Sequence, residues 1–256
     1  MRPYSRVYAT VNLDAVASNM RSMRDNLPAS TLIMGSVKAD GYGHGSVPVA
    51  KTIEPYVFGY AVATIDEGII LRRHGINKTI LILGVTHESR YEDLLRYDIR
   101  TAMFQYEKAK KLSDLALKQG KKAVVHLALD TGMSRIGMKA DREHAKEAAA
   151  IAALEGIEVE GLFTHFARAD EYDRSPAMVQ LERYLDFSRR VEEAGVEIPL
   201  HHCSNSAGII RMPEANLNIV RAGITIYGIY PSSEVERDIV KLEPVMELKS
   251  HVTYVK

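Results

Sequence analysis

Along the chain, short apolar runs rich in β-branched residues alternate with longer stretches in which apolar residues recur every three or four positions. The short runs are Thr31 to Val37, Val57 to Val62, Thr79 to Leu83, Ile99 to Phe104, Ala123 to Leu129, Val159 to Phe166, Leu200 to Cys203 and Ile219 to Tyr227. Most are continuously apolar, the pattern of strands covered on both faces. The longer stretches predict amphipathic helices. Before the first run, Asn12 stands where a helix cap is needed, and Leu13, Val16, Met20, Met23 and Leu27 fall on one face. Further helices are predicted from Gln105 to Gln119, Asp141 to Leu154 and Pro176 to Ala194, with Gly120, Gly156 and Gly195 placed to end them. Strands alternating with helices in this way predict a closed parallel (β/α)8 TIM barrel, although an open doubly wound sheet would alternate similarly.

After Gly228 the rhythm changes. Pro231-Ser232-Ser233 and a charged turn lead to Pro244 to Lys256, where polar and apolar residues alternate as in a strand. Met246, Leu248, Val252 and Tyr254 then share one face, and no later strand follows to pair with them. The expectation is a barrel over residues 1–231, with residues 232–256 forming a linker and the first strand of a β-rich domain that continues beyond them. The other possibility is that this strand pairs elsewhere.

Composition narrows the function classes. Two hundred and fifty-six residues suit between one and two ordinary domains, and a single α/β barrel is commonly this long, so length leaves both open. Lys plus Arg (33) equal Asp plus Glu (33), so no basic field exists to hold nucleic acid or an anionic membrane surface. With 46% hydrophobic and 26% charged residues the chain reads as an ordinary globular protein. No apolar stretch is long enough to span a bilayer, and the segment from Met1 to Val16 has no leader-type apolar run. The single cysteine, Cys203, permits no internal disulfide and fits a reducing compartment, so a cytoplasmic protein is expected.

Barrels of this kind gather their chemistry at the C-terminal ends of the strands, so polar residues directly after apolar runs are the candidates. Lys38 ends the first run and opens Ala39-Asp40-Gly41-Tyr42-Gly43-His44-Gly45, a glycine-rich turn that lets backbone approach a ligand. A desolvated lysine at such a place serves as an amine nucleophile; a solvated strand cap is its ordinary role. Asp130-Thr131-Gly132-Met133-Ser134-Arg135-Ile136-Gly137 offers Arg135 from a glycine-flanked loop, either to an oxyanion or to a surface ion pair. His165, in Phe163-Thr164-His165-Phe166, is a ligand-facing or a satisfied core histidine. His201-His202-Cys203-Ser204-Asn205-Ser206 opens a short helix whose amides, with Ser206, can hold an anion. The paired histidines suggest a metal, but no third ligand stands at the right spacing, and none is expected. Arg221 interrupts the last apolar run and needs a buried partner, while Gly223 admits a phosphate where barrels commonly bind one. A strand-end lysine, two arginines, a histidine and a phosphate cradle together describe a pocket for pyridoxal 5'-phosphate (PLP).

The motifs Val37-Lys38-Ala39-Asp40-Gly41-Tyr42-Gly43-His44-Gly45, Asp130 to Gly137, Gly161 to Ala167, Asn205-Ser206-Ala207 and Val220-Arg221-Ala222-Gly223 resemble, in order and spacing, those of bacterial alanine racemases. The resemblance implies a PLP-binding barrel that interconverts L- and D-alanine, supplies D-alanine for peptidoglycan and works as a homodimer. It implies that Lys38 carries the cofactor and exchanges the α-proton on the D face. Tyr42, Asn205, Ser206, Gly223 and Ile224 would line the phosphate end, Arg221 would meet the pyridine nitrogen, His165 would lie against the ring and Arg135 would contact the phenolic oxygen.

Two departures from the family pattern accompany the resemblance. Many relatives carry a carbamylated lysine two residues before the aspartate of Asp130-Thr131-Gly132, and here that position is Ala128. The family's tyrosine base for the L face belongs to its following β-domain, and Tyr227, Tyr230 and Tyr254 do not lie in that motif. The expectation is a chain that binds PLP and racemises slowly. Among alternatives, a serine racemase shares the architecture, a non-catalytic PLP-binding module would need no further domain, and an aldolase-like barrel would use Lys38 without PLP.

Overall fold

The structure, a computed structural model, describes residues 6–256; the first residues of the segment read above for a leader lie outside the described part. Its elements in order are β1 (Val7–Val11), α1 (Leu13–Asp25), β2 (Leu32–Ser36), α2 (Lys38–Tyr42), α3 (Ser46–Ile53), β3 (Gly59–Val62), α4 (Ile65–Arg73), β4 (Thr79–Ile82), α5 (Tyr91–Tyr97), β5 (Arg100–Met103), α6 (Tyr106–Lys118) and β6 (Ala123–Asp130). There follow β7 (Met138–Lys139), α7 (Arg142–Ala152), β8 (Ile157–Phe163), α8 (Ser175–Glu193), β9 (Leu200–His202), α9 (Ser206–Arg211), β10 (Ile219–Ala222) and β11 (Met246–Ser250).

The parallel strands run in the order β10, β2, β3, β4, β5, β6, β8, β9, with β7 a short addition beside β6. The circle is completed between the outer two, where Arg221 N–H donates to Ser204 O at 3.0 Å and His201 N–H to Asn218 Oδ1 at 2.7 Å. This is the expected (β/α)8 barrel. Strand alternation divides the side chains into two sets. Ile33, Tyr60, Val62, Ile80, Ile82, Val125, Leu127 and Val220 join the main core beneath the helices. Met34, Ala61, Leu81 and Ile219 form a separate cluster on the other face, inside the barrel. By the same alternation His126, Ala128 and Arg221 belong to the inward set.

Helix α1 starts where expected, with Asn12 Oδ1 accepting from Asp14 N–H at 3.0 Å and Ala15 N–H at 3.2 Å. Gly156 does not end α7, which stops at Ala152. A Cβ there would stand 2.4 Å from Ser113 O, so this glycine lets the start of β8 approach α6.

Two strand expectations are corrected. The run Ile219 to Tyr227 is not one strand: β10 ends at Ala222, and Ile224–Tyr227 winds into a 3-10 turn whose Thr225, Ile226 and Tyr227 are buried. The run to Phe166 likewise ends at Phe163, leaving His165 in the following loop. The strand Met246–Ser250 pairs elsewhere in the chain, the second of the two possibilities: it lies antiparallel to β1, from Val11 opposite Met246 to Val7 opposite Ser250. Val252 and Tyr254 lie past its end. The approach to β11 is tied to α1 through buried Asn19, whose Nδ2 donates to Glu243 O at 2.9 Å and whose Oδ1 accepts from Glu243 N–H at 2.7 Å.

Candidate functional site

Lys38 leaves the C-terminal end of β2 into a turn of unusual hand. Ala39, Asp40, Gly41 and Tyr42 have φ of 51°, 50°, 61° and 51°. Left-handed backbone costs an ordinary L-residue roughly 1–2 kcal/mol, so three non-glycine positions there need outside support. Glu67 Oε1 accepts from Ala39 N–H at 2.8 Å, Asp40 Oδ1 from Ser46 N–H at 2.7 Å, and Tyr227 O–H donates to Ser36 O at 3.0 Å. The turn holds Lys38 Nζ 4.5 Å from the centre of the Tyr42 ring.

Lys38, Tyr42, Arg135, Phe163, His165 and Arg221 line one cavity of about 340 Å³ at this end of the barrel. Volumes of this order accept a small cofactor or substrate. Arg221 is buried on β10, and burial draws its guanidinium down to about 10. Its NH1 donates to His202 Nδ1 at 2.7 Å and His202 O at 2.9 Å, and its NH2 to Thr164 O at 2.7 Å and Cys203 O at 3.0 Å. Among the described residues no acceptor is in bonding reach of its Nε, so one donor of the five stays free beside the cavity. His165 Nδ1 stands 3.4 Å from NH2. Burial, then the nearby charges of Arg221, Arg135 and Lys38, push His165 down to about 3, which keeps it neutral.

A second feature adjoins this cavity. Ser206 Oγ accepts from Gly223 N–H at 2.9 Å and meets Thr225 Oγ1 at 2.9 Å. A Cβ built on Gly223 would lie 3.5 Å from Ser206 Oγ and 3.8 Å from Tyr42 Oη, in a space ringed by hydroxyls. Ile224 follows Gly223 and starts the 3-10 turn. Asn205 is engaged in a different way: its Oδ1 caps α9 by accepting from Gly208 N–H at 3.0 Å, which fixes Ser206 at the helix start.

The structure therefore brings Lys38, Tyr42, Arg135, His165 and Arg221 to one cavity, with Gly223 and Ser206 near the Tyr42 hydroxyl and Ile224 next in the chain after Gly223. Ala128 is buried in an apolar group with Ala102 and Phe163, and Arg135 is exposed with no acidic partner among the described residues. The described residues include no group of three or more His, Cys, Asp or Glu side chains that could hold a metal ion. Phe163, which stacks on His202 at 5.0 Å and lies 5.6 Å from the Arg221 guanidinium, was not singled out, nor were Tyr227, His126 and Glu160. The inward period of their strands was the available signal for Phe163 and His126.

Fold and site together define a (β/α)8 barrel with a lysine-bearing cavity at the C-terminal strand ends. The family model for the alanine racemase N-terminal domain matches residues 11–231. The alanine racemase of Desulforamulus reducens is 43% identical over 251 residues, covering 98% of this chain and 68% of that protein, and that of Clostridium perfringens is 43% identical over 98% and 65%. The chain thus spans about two thirds of the length of these relatives. Among solved structures, the alanine racemase of Clostridium difficile 630 in complex with cycloserine superposes with a TM-score of 0.97 at 41% identity, over 100% of this chain and 70% of that one. The Bacillus anthracis alanine racemase with bound L-Ala-P gives 0.89 at 33%, over 97% and 64%. The chain belongs to the alanine racemase family, which it enters through the N-terminal domain.

Proposed function

We propose that this chain binds PLP and takes part in the interconversion of L- and D-alanine, with residues 1–231 as the cofactor barrel and residues 232–256 leading out of it. The observation that carries the reading is that Lys38 and Arg221, with its free Nε–H, line one cavity, while the hydroxyl-ringed space at Gly223 adjoins it beside Tyr42. Those features fit an aldehyde, a ring nitrogen and a phosphate on one molecule. Tyr42, Ser206, Gly223 and Ile224 would hold the phosphate, with Asn205 fixing Ser206. Arg221 would donate to the pyridine nitrogen, His165 would pack against the ring and Arg135 would reach the phenolic oxygen.

When bound, PLP withdraws electrons from the substrate's α-carbon, so that the α-proton becomes exchangeable. Lys38 would hold the cofactor and carry the proton to and from the α-carbon on the D face. Arg221, already a cation, would leave the ring nitrogen unprotonated and limit electron withdrawal, which favours proton return over other fates. Neutral His165 adds no second charge beside it. The relatives' complexes with cycloserine and L-Ala-P support a small ligand of this kind. No helix among the described residues is long and apolar enough to cross a membrane. A cytoplasmic homodimer supplying D-alanine for peptidoglycan completes the reading.

The test is α-proton exchange. With added PLP in D2O, the α-proton signal of D-alanine should fade far faster than with PLP alone, and Lys38→Ala should slow this by at least about 100-fold, the usual worth of a positioned base. Exchange at the same rate in the variant would contradict the proposal.

A further inference from the structure

Below the cavity a line of polar side chains runs through the barrel interior. His202 Nδ1 takes a bond from Arg221 NH1 at 2.7 Å, His202 Nε2 stands 2.8 Å from His126 Nδ1, and His126 Nε2 stands 2.9 Å from Glu160 Oε2. Arg100 Nε closes the line on the same Glu160 oxygen at 3.4 Å. His126 and His202 are fully buried, while the side chains of Glu160 and Arg100 are 18% and 16% exposed. The backbone is shaped for this line. The β6–β8 pairing slips between Val125 and His126, so that Glu160 has no opposite partner and His126 faces Gly161.

The proton positions follow from donor chemistry alone. A guanidinium only donates, so His202 Nδ1 must accept and His202 Nε2 must carry the hydrogen. His126 Nδ1 therefore accepts, and His126 Nε2–H donates to Glu160, which as a carboxylate only accepts. Every link is satisfied with both rings neutral. Burial holds both imidazoles below their ordinary value, so neither takes a proton near neutrality. Burial alone would raise Glu160, but the bonds from His126 and Arg100 outweigh it and keep the carboxylate ionised.

Buried arginine ordinarily needs a carboxylate, yet among the described residues none lies within ion-pair distance of Arg221. We propose that His202, His126 and Glu160 are positioning residues that deliver the Glu160 charge to Arg221 through two neutral imidazoles and so fix its guanidinium with the free Nε–H at the cavity. Hydrogen bonds in series polarise one another in a low-dielectric interior. The pull of Glu160 on His126 makes His202 Nδ1 a better acceptor, and Arg221 is held against rotation by bonds on both terminal nitrogens. The effect on a bound cofactor rests on the PLP reading above; the wiring itself does not.

The experiment has two arms. In the first, long-range proton–nitrogen NMR on the uniformly nitrogen-15-labelled, cofactor-free chain at pH 7 should find both His126 and His202 neutral with the hydrogen on Nε2. A ring that is charged, or protonated on Nδ1, overturns the proposal without any variant. In the second, Glu160→Gln keeps an acceptor oxygen and removes the charge. The absorption maximum of protein-bound PLP should shift, and the dissociation constant should rise roughly tenfold, as for loss of one charge-assisted bond. Asp98→Asn, which removes a charge from the other side of Arg100, should leave both unchanged. A folded Glu160→Gln protein with unaltered spectrum and affinity overturns the proposal. If PLP does not attach at Lys38 in the parent chain, the PLP reading fails, and the ring tautomers still decide the wiring.

Discussion

A methyl group on Gly161 would stand 2.5 Å from His126 Nδ1, so the glycine on β8 is what leaves room for the imidazole inside the barrel. No backbone relaxation is cheap there, because Gly161 is paired with both His126 on β6 and Leu200 on β9. Gly161→Ala should cost about 1–3 kcal/mol, as overpacking of a filled core does. Urea denaturation should show a lower midpoint with an unchanged slope. An unshifted midpoint would mean that His126 has another place to go.

Two buried histidines, His126 and His202, and the half-buried His165 should make the chain sensitive to acid. His126, His165 and His202 are all held below the ordinary value by burial, in each case the leading cause. The unfolded chain takes up protons below about pH 6.5 that the folded chain refuses, so stability falls as pH drops through that value and is unaffected above it. Glu160, held low in the fold, adds a further loss in the carboxylate range, below about pH 4.3. The unfolding free energy should be flat from pH 8 to 7 and then fall, with a slope approaching about 4 kcal/mol per pH unit. A His165→Gln variant should reduce that slope by about one third. Equal stability at pH 7 and pH 5 would contradict this.

Glu67 clamps the turn that carries Lys38. One carboxylate oxygen accepts from Ala39 N–H at 2.8 Å, and the other from Ala63 N–H at 2.7 Å, which joins the left-handed turn to the end of β3. Glu67→Ala should lower stability by about 1–3 kcal/mol and let the strained turn open. Hydrogen exchange is the measurement. The amides of Gly41 and Gly43, which donate to Val37 O at 2.8 Å and Ala39 O at 3.0 Å, should lose protection before the barrel strands do. Retained protection there would show that the turn is stable without its clamp.

The eight barrel strands were legible because a strand covered on both faces must be apolar throughout, and Leu32–Ser36 or Thr79–Ile82 cannot be satisfied otherwise. Their C-terminal limits were not, since Thr225 to Tyr227 are buried whether the backbone is a strand or a 3-10 turn. Hydrophobicity records burial and says nothing of hand or pitch. β1 escaped notice because its first residues are exposed and its partner lies at the other end of the chain, so neither periodicity nor local turn chemistry marks it. At the site, Lys38 and Arg135 stood out as polar residues after apolar runs and Arg221 as one interrupting a run, all local signals. The His202–His126–Glu160 line depends on the register between three strands and on a slip in one pairing, which no single segment contains. Ala128 departs from the family's lysine, and the structure answers with apolar neighbours, Ala102 and Phe163.

The central claim is that Lys38 is the residue to which PLP attaches. Adding PLP to the purified chain, reducing with borohydride and mapping the labelled peptide tests it most directly. A yellow protein whose stable adduct lies on Lys38, and which disappears in Lys38→Ala, is the predicted result. An adduct spread over surface lysines such as Lys110 and Lys146, or undiminished in the variant, would contradict it.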